Sequence, residues 1–225
     1  MVNLFMAGDR LQSIYNPGEI VWSRLGIDMR GRSKLLKTSY RAASDSINLA
    51  LKFLTQDKTL DKEVSNFYKE PDEKEINIEH VNKGTVEFLE GSYDAVKETI
   101  EVLIGEYGYR YDEILILCKT KRICEYIIGG LRPPYRYVSK FVKNLAGDDI
   151  KNNIIFTTYH SSKGLEARAV ILVGVDSFVK VNDADRDRLN RKLLYVGMTR
   201  ASERLYIHAG GFRDSSFAKD LKDLV

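Results

Sequence analysis

The sequence predicts an α/β fold with a mostly parallel central sheet flanked by helices. Short runs rich in β-branched residues alternate with segments of helical periodicity. The three central runs are apolar at nearly every position, as expected where helices cover both faces of a strand. At a typical ~150 residues per domain, a chain of 225 residues makes one sizeable domain, or one domain carrying a piece of another. Hydrophobic residues at 44%, charged residues at 30% and only 4 prolines exclude a disordered tail and a fibrous repeat.

Along the chain, Val2 to Ala7 followed by Gly8-Asp9 reads as a strand belonging to another sheet, and Asn16-Pro17-Gly18 as a turn. Ser44 and Asp45 open a helix with Ile47, Ala50, Leu51 and Leu54 inward. Residues 55–83, dense in Lys, Glu and Asp with little periodicity, are expected to form an exposed, partly mobile excursion. Thr85 to Leu89 is a strand. With Asp94 as N-cap, Val96, Ile100, Leu103, Ile104 and Tyr107 form one helical stripe. Glu113 to Cys118 is the next strand. After Thr120, the spacing of Ile123, Ile127 and Leu131 gives a helix that Pro133-Pro134 ends. Ile154 to Thr158 and Ala169 to Val173 are strands, Leu189, Leu193 and Val196 mark a helix, Leu205 to Ala209 is the last strand, and Phe217, Leu221 and Leu224 mark a closing helix. This alternation implies right-handed crossovers and a doubly wound sheet.

A net charge of +3 is too small to argue for nucleic acid, so any basic groove must come from local arrangement. Cys118 and Cys124 fit neither a zinc pair nor a C-x-x-C motif and are read as reduced, buried thiols. No apolar run approaches the ~18 residues that span a bilayer, and the start at Met1-Val2-Asn3-Leu4 lacks a signal peptide's regions. A cytoplasmic protein with no membrane contact, monomeric in isolation, is expected.

Four clusters carry chemistry. Gly8-Asp9-Arg10-Leu11-Gln12-Ser13-Ile14-Tyr15 places donor-rich side chains just past a strand's carboxyl end, which suits a ligand site or a capped turn. Ser39-Tyr40-Arg41 sits before a helix, where an aromatic face and a guanidinium can stack a nucleobase and hold a phosphate, or simply pack on each other. Thr157-Thr158-Tyr159-His160-Ser161-Ser162-Lys163-Gly164-Leu165-Glu166 is too polar for mere linkage and suits contacts to a nucleic acid and a nucleotide. Leu193 through Ala201 is a mostly apolar helix ending in Arg200. That arginine needs an anionic partner, either a carboxylate of the fold or a γ-phosphate, because an unpaired buried charge costs several kcal/mol.

Together these clusters resemble superfamily 1 DNA helicases of the UvrD/Rep type. Gly8-Asp9 with Gln12-Ser13-Ile14-Tyr15 resembles motif III, and Ser39-Tyr40-Arg41 resembles motif IV. Thr158, His160 and Lys163-Gly164-Leu165-Glu166 resemble motif V, and Tyr195-Val196-Gly197-Met198-Thr199-Arg200-Ala201 resembles motif VI; the four occur in the family's order. The resemblance implies a RecA-like domain, the second of a helicase motor (domain 2A), over residues 31–225, with residues 1–30 a remnant of the first. It implies that Gln12, Arg41 and Arg200 approach the γ-phosphate of ATP, that Tyr40 stacks on adenine and that Glu166 binds ribose. Tyr15, Thr158 and His160 would meet single-stranded DNA.

Asn16-Pro17-Gly18-Glu19 stands where the family commonly has a second aromatic and an Arg, and Ala42 replaces the usual Ser after Arg41. The short interval from Arg41 to Thr158 implies that the family's large helical insertion (2B) is reduced or absent. The chain has no Gly-Lys dipeptide, hence no Walker A loop, and its Asp72-Glu73 and Asp112-Glu113 pairs follow no apolar strand. No metal ligand is expected here; ATP and Mg2+ would require an amino-terminal RecA-like domain as partner. The chain reads as the carboxyl-terminal portion of an ATP-dependent DNA helicase or translocase, inactive alone. The competing reading is a non-catalytic helicase-like module that binds DNA or a protein.

Overall fold

The structure is a computed structural model that describes residues 38–39, 42–68, 79–80, 82–143, 151–211 and 216–225, with only the backbone described at 38–39, 66–68 and 79–80. The elements in chain order are β1 (Thr38–Ser39), α1 (Ser44–Thr55), α2 (Lys58–Tyr68), β2 (Glu79–His80), β3 (Thr85–Glu90), α3 (Tyr93–Gly105), β4 (Ile114–Cys118), α4 (Lys121–Gly130), β5 (Ser139–Phe141), β6 (Ile154–Thr158), β7 (Ala167–Leu172), α5 (Ala184–Met198), β8 (Ala201–Ala209) and α6 (Phe217–Lys222). Six strands form one sheet in the order β3-β8-β7-β4-β6-β5, and every pairing in it is parallel. The α/β architecture with a parallel sheet and flanking helices is therefore as the sequence predicts.

The continuous apolar runs in β4, β6 and β7 are divided between two cores by the alternation of a strand. Leu115, Leu117, Ile155, Val170 and Leu172 join α1, α5 and α6 on one face. Ile114, Ile116, Cys118, Phe156, Ala169 and Ile171 join α3 and α4 on the other. Both cysteines are buried free thiols, and the Cys118 thiol is pushed up by its hydrogen bond with Cys124 and by burial.

Helix starts follow local chemistry. Thr120 caps α4, accepting from the backbone N–H of Ile123. In α3 the cap is Ser92, not Asp94: Ser92 Oγ accepts from the Asp94 N–H. Val96, Ile100 and Leu103 are fully buried, whereas Tyr107 lies beyond the helix end and is 49% exposed. Helix α1 has no side-chain cap, and its first N–H groups find carbonyls instead: Ser44 N–H donates to Asn82 O (2.9 Å) and Asp45 N–H to Lys83 O (3.0 Å).

The expectation of an exposed excursion over 55–83 is corrected for its first part. Lys58–Tyr68 is helix α2, with Leu60 and Val64 buried in the α1/α5 core. Lys58, Asp61 and Lys62 are exposed on its outer side. The density of charge masked an amphipathic helix whose inward stripe is only these two aliphatic residues among the described side chains.

Candidate functional site: two edges of one sheet

Motif V begins where β6 ends. Cys118 of β4 and Thr158 of β6 are paired in register, and Tyr159 N–H donates to Cys118 O (3.1 Å). Thr158 is half-buried. Its hydroxyl donates to Ser161 Oγ (3.1 Å) and accepts from the Ser161 N–H (3.3 Å), closing the short 3-10 turn His160–Ser162. This leaves His160 exposed on the carboxyl edge of the sheet. Tyr159 anchors the turn: its fully buried hydroxyl donates to Val173 O (3.2 Å), its ring meets Phe178 edge-on at 5.1 Å, and burial pushes its phenol well up.

From there the chain must reach the amino end of β7, because β6 and β7 run parallel on either side of β4. Residues 159–166 make that crossing on the α1/α5 face, with Tyr159 and Leu165 in its core. The crossing turns through Gly164, whose φ of +87° an L side chain rarely adopts. It ends at Glu166, exposed beside the start of β7.

Motif VI meets motif V at this amino edge. Arg200 follows α5 and is 6% exposed. Its guanidinium donates from Nε to Val196 O (2.9 Å), from Nη1 to Leu165 O (3.3 Å) and from Nη2 to Thr199 Oγ1 (3.1 Å). Ala167 N–H in turn donates to Arg200 O (3.1 Å). The segment after motif IV arrives at the same place, since Ala43 N–H donates to Ala201 O (3.0 Å). Glu166, Arg200 and Ala43 are thus tied to neighbouring backbone positions. Helix α5 comes close to the sheet because Gly197 has no side chain: a Cβ there would lie 3.0 Å from Leu172 Cδ2 and 3.3 Å from both Leu117 Cδ1 and Tyr159 Cδ1.

Among the sequence-predicted residues, the structure places Thr158 and His160 at the carboxyl edge and Glu166 and Arg200 at the amino edge. Gln12, Tyr15, Tyr40 and Arg41 lie outside the described residues. Sequence reasoning passed over Lys119. It stands beside Thr158 at the carboxyl edge, donates to Ser177 O and sits 4.9 Å over the Phe178 ring. Desolvation and the Arg186 guanidinium hold its ammonium below the usual range. The signal was present in Lys119-Thr120-Lys121-Arg122, three cations in four residues directly after a strand.

Among the described residues no group of three or more His, Cys, Asp or Glu is placed to hold a metal ion. At the amino edge the Glu166 carboxylate and the Arg200 guanidinium are of kinds suited to ribose hydroxyls and a phosphate, and a separate ion-paired group, Arg168 with Glu203 (2.7 Å) and Glu113 (3.2 Å), lies at the same edge. Among the described residues no helix is long and apolar enough to cross a membrane.

Residues 153–208, from the start of β6 almost to the end of β8, match the family model of the UvrD-like helicase C-terminal domain. This match covers only that segment of the chain, which is similar to the C-terminal domain of UvrD-like helicases. The ATP-dependent DNA helicase Rep of Buchnera aphidicola subsp. Schizaphis graminum (strain Sg) is 40% identical over 60 residues, 25% of this chain and 9% of that protein. The matched part is thus a small fraction of that relative's length. The C-terminal domain of a possible DNA helicase from Lactobacillus plantarum WCFS1 superposes with a TM-score of 0.50 at 17% identity, covering 77% of this chain and 88% of that one; the two share a fold.

Proposed function

We propose that this chain supplies the second motor domain of an ATP-dependent DNA helicase or translocase. In this reading the nucleotide lies against the amino edge of the sheet and single-stranded DNA along its carboxyl edge. The observation that carries it is the crossing segment 159–166. It leaves the sheet at Thr158 and His160 and returns at Glu166, next to the backbone that Arg200 grips through Leu165 O. A shift at either end is passed to the other through a short, buried path, which is what coupling of nucleotide state to strand grip requires.

Glu166 accepts from ribose hydroxyls, and Tyr40 stacks on the adenine. Arg41 and Arg200 meet the charge that develops on the γ-phosphate, with Gln12 beside it; two guanidinium groups aimed there supply electrostatic stabilisation in a site closed to water. Bound Mg-ATP supplies the free energy of phosphoryl transfer, and the metal belongs to an amino-terminal RecA-like partner domain that carries the phosphate-cradling loop. Residues 1–30 are assigned to that first domain and 31–225 to the second, with the 2B insertion reduced or absent. Thr158, His160 and Lys119 hold the strand on this domain, and Tyr15 meets its bases from the first.

The test is DNA-stimulated ATPase activity of the full-length protein. Arg200→Ala should lower kcat by roughly 10³. Arg200→Lys, which keeps the charge but not the forked geometry, should be almost as slow while melting near the parent temperature. A normal rate in both variants would overturn the assignment. The second reading is a non-catalytic helicase-like module. It expects DNA or protein binding by the full-length protein with no ATPase activity.

A further inference from the structure

A cleft of about 290 Å³ opens at the carboxyl edge of the sheet, at the ends of β3, β7 and β8, apart from every motif discussed above. Its position follows from the topology. After β3 the chain turns to the α3/α4 face, whereas after β7 and β8 it turns to the α5/α6 face. Neighbouring β3 and β8 therefore send their connections to opposite faces, and such a divergence leaves a crevice outside the carboxyl ends where open α/β sheets bind ligands. Gly91 (φ +118°) and Gly174 (φ +68°) end β3 and β7, and a Cβ at either would meet nothing within 4 Å. Both turns leave the crevice open.

The floor is rigid and neutral. His208 is fully buried, with Nε2 donating to Gly91 O (3.0 Å) and Ser92 O (3.2 Å) and Nδ1 accepting from the Gly174 N–H (3.3 Å). Its imidazole holds the ends of β3 and β7 to β8. One wall is aromatic. Tyr93 tilts on His208 with centroids 5.6 Å apart, and Tyr126 meets Tyr93 edge-on at 5.8 Å. The Tyr126 ring is 66% exposed, which is unusual for a large aromatic side chain on a helix that packs its opposite face in a core. The lining also holds Asp94, ion-paired to Lys97 (2.8 Å), and Asp176, whose Oδ1 accepts from the Gly210 N–H (2.9 Å). Two carboxylates against one ammonium repel a phosphate and favour a flat ring with amine donors.

We propose that this cleft is a nucleobase pocket in which one base of the bound strand stacks on Tyr126 and offers its exocyclic amine to Asp176. The inference rests on the single-strand reading above and extends the strand's path beyond motif V. Continuity argues for a strand as the source of the base. Lys119 on the DNA edge donates to Ser177 O, and Ser177 lines the cleft. Helix α4 carries exposed Lys121 and Arg122 in its first turn and Tyr126 one turn later. Phosphates on these cations would leave the base within reach of the ring, and base–aromatic stacking tolerates every base.

The test uses the full-length protein and single-stranded oligonucleotides that each carry one 5-iodocytosine, which keeps the exocyclic amine, irradiated and mapped by mass spectrometry. The expected crosslink falls on Tyr126, disappears in Tyr126→Ala and persists in Tyr126→Phe. Tyr126→Ala should also weaken binding about 5-fold or more, with the salt dependence unchanged because a stacked base displaces no counterions. Lys119→Ala serves as the control for the rim: it should flatten the salt dependence and leave the Tyr126 crosslink in place. Tight binding by Tyr126→Ala with crosslinks only elsewhere would overturn the pocket while the functional reading stands. Failure of the full-length protein to bind any strand would refute both. A Tyr126-dependent response to free deoxycytidine monophosphate without strand binding would assign the cleft to a mononucleotide and overturn the strand as its occupant.

Discussion

At Gly84 the backbone holds φ at +77°, and a Cβ there would collide with the Cβ of Ala43 and come within 2.7 Å of Glu203 O. This glycine lets the segment before β3 pass beneath the start of α1, whose first N–H groups it satisfies. Gly84→Ala should cost about 2 kcal/mol or more, read as a lower urea midpoint with an unchanged slope; an unchanged midpoint would show that the close approach is dispensable. His208 makes a second prediction. Burial lowers its pKa in the fold, so the unfolded chain takes up the proton first, near the ordinary value of about 6.5. Stability contributed by the neutral imidazole is therefore complete above that pH and falls as pH drops below it, until the lower folded value is reached. Melting curves between pH 7.5 and 5 should show this loss and show less of it in His208→Gln; identical pH profiles would count against the buried neutral ring. Neither residue was legible in the sequence. A positive φ and a desolvated imidazole are properties of three-dimensional neighbours, and nothing local to Gly84 or His208 announces them.

Between elements, Arg191 does what a sequence reading would assign to a site residue. It is 8% exposed on α5, donates to Phe53 O (2.8 Å) and Gln56 Oε1 (3.1 Å) of the α1 end, and pairs with Asp220 of α6 at 2.9 Å. The Phe53 and Phe217 rings enclose its guanidinium at 4.6 and 4.8 Å. Three helices converge on this one cation. Arg191→Ala should destabilise the fold by about 2 kcal/mol, because Phe53 O loses a buried charged donor and the two rings lose the guanidinium between them, while Asp220 keeps Lys180 at 2.7 Å; a thermal shift of less than a degree would contradict this. Helix existence was readable where stripes of apolar residues were broad, as for Val96, Ile100 and Leu103 in α3. It was hidden in α2, where Leu60 and Val64 are separated by solvated charges. Caps were readable to within a turn: Thr120 sits where its hydroxyl predicts, while Ser92 outcompetes Asp94 because it stands in the extended conformation that a cap requires.

For the whole molecule, the sheet order β3-β8-β7-β4-β6-β5 decides which residues can act together. The parallel class was legible from uninterrupted apolar runs such as Ile114 to Cys118, whose alternate members face two different cores. The order was not, since any pairing of such strands buries them equally well. The polar segment 157–166 was legible as well, but its division between two edges was not: His160 and Glu166, six positions apart, lie at opposite ends of the sheet because the chain must cross back to begin a parallel strand. That division is the core of the account. The most direct test is steady-state ATPase activity of the full-length protein carrying His160→Ala, measured across a titration of single-stranded DNA. The account predicts that half-maximal stimulation shifts to several-fold higher DNA concentration while the DNA-free rate and the KM for ATP stay at parent values. An equal fall in the DNA-free rate, or an unshifted DNA titration, would contradict the separation of a nucleotide edge from a strand edge.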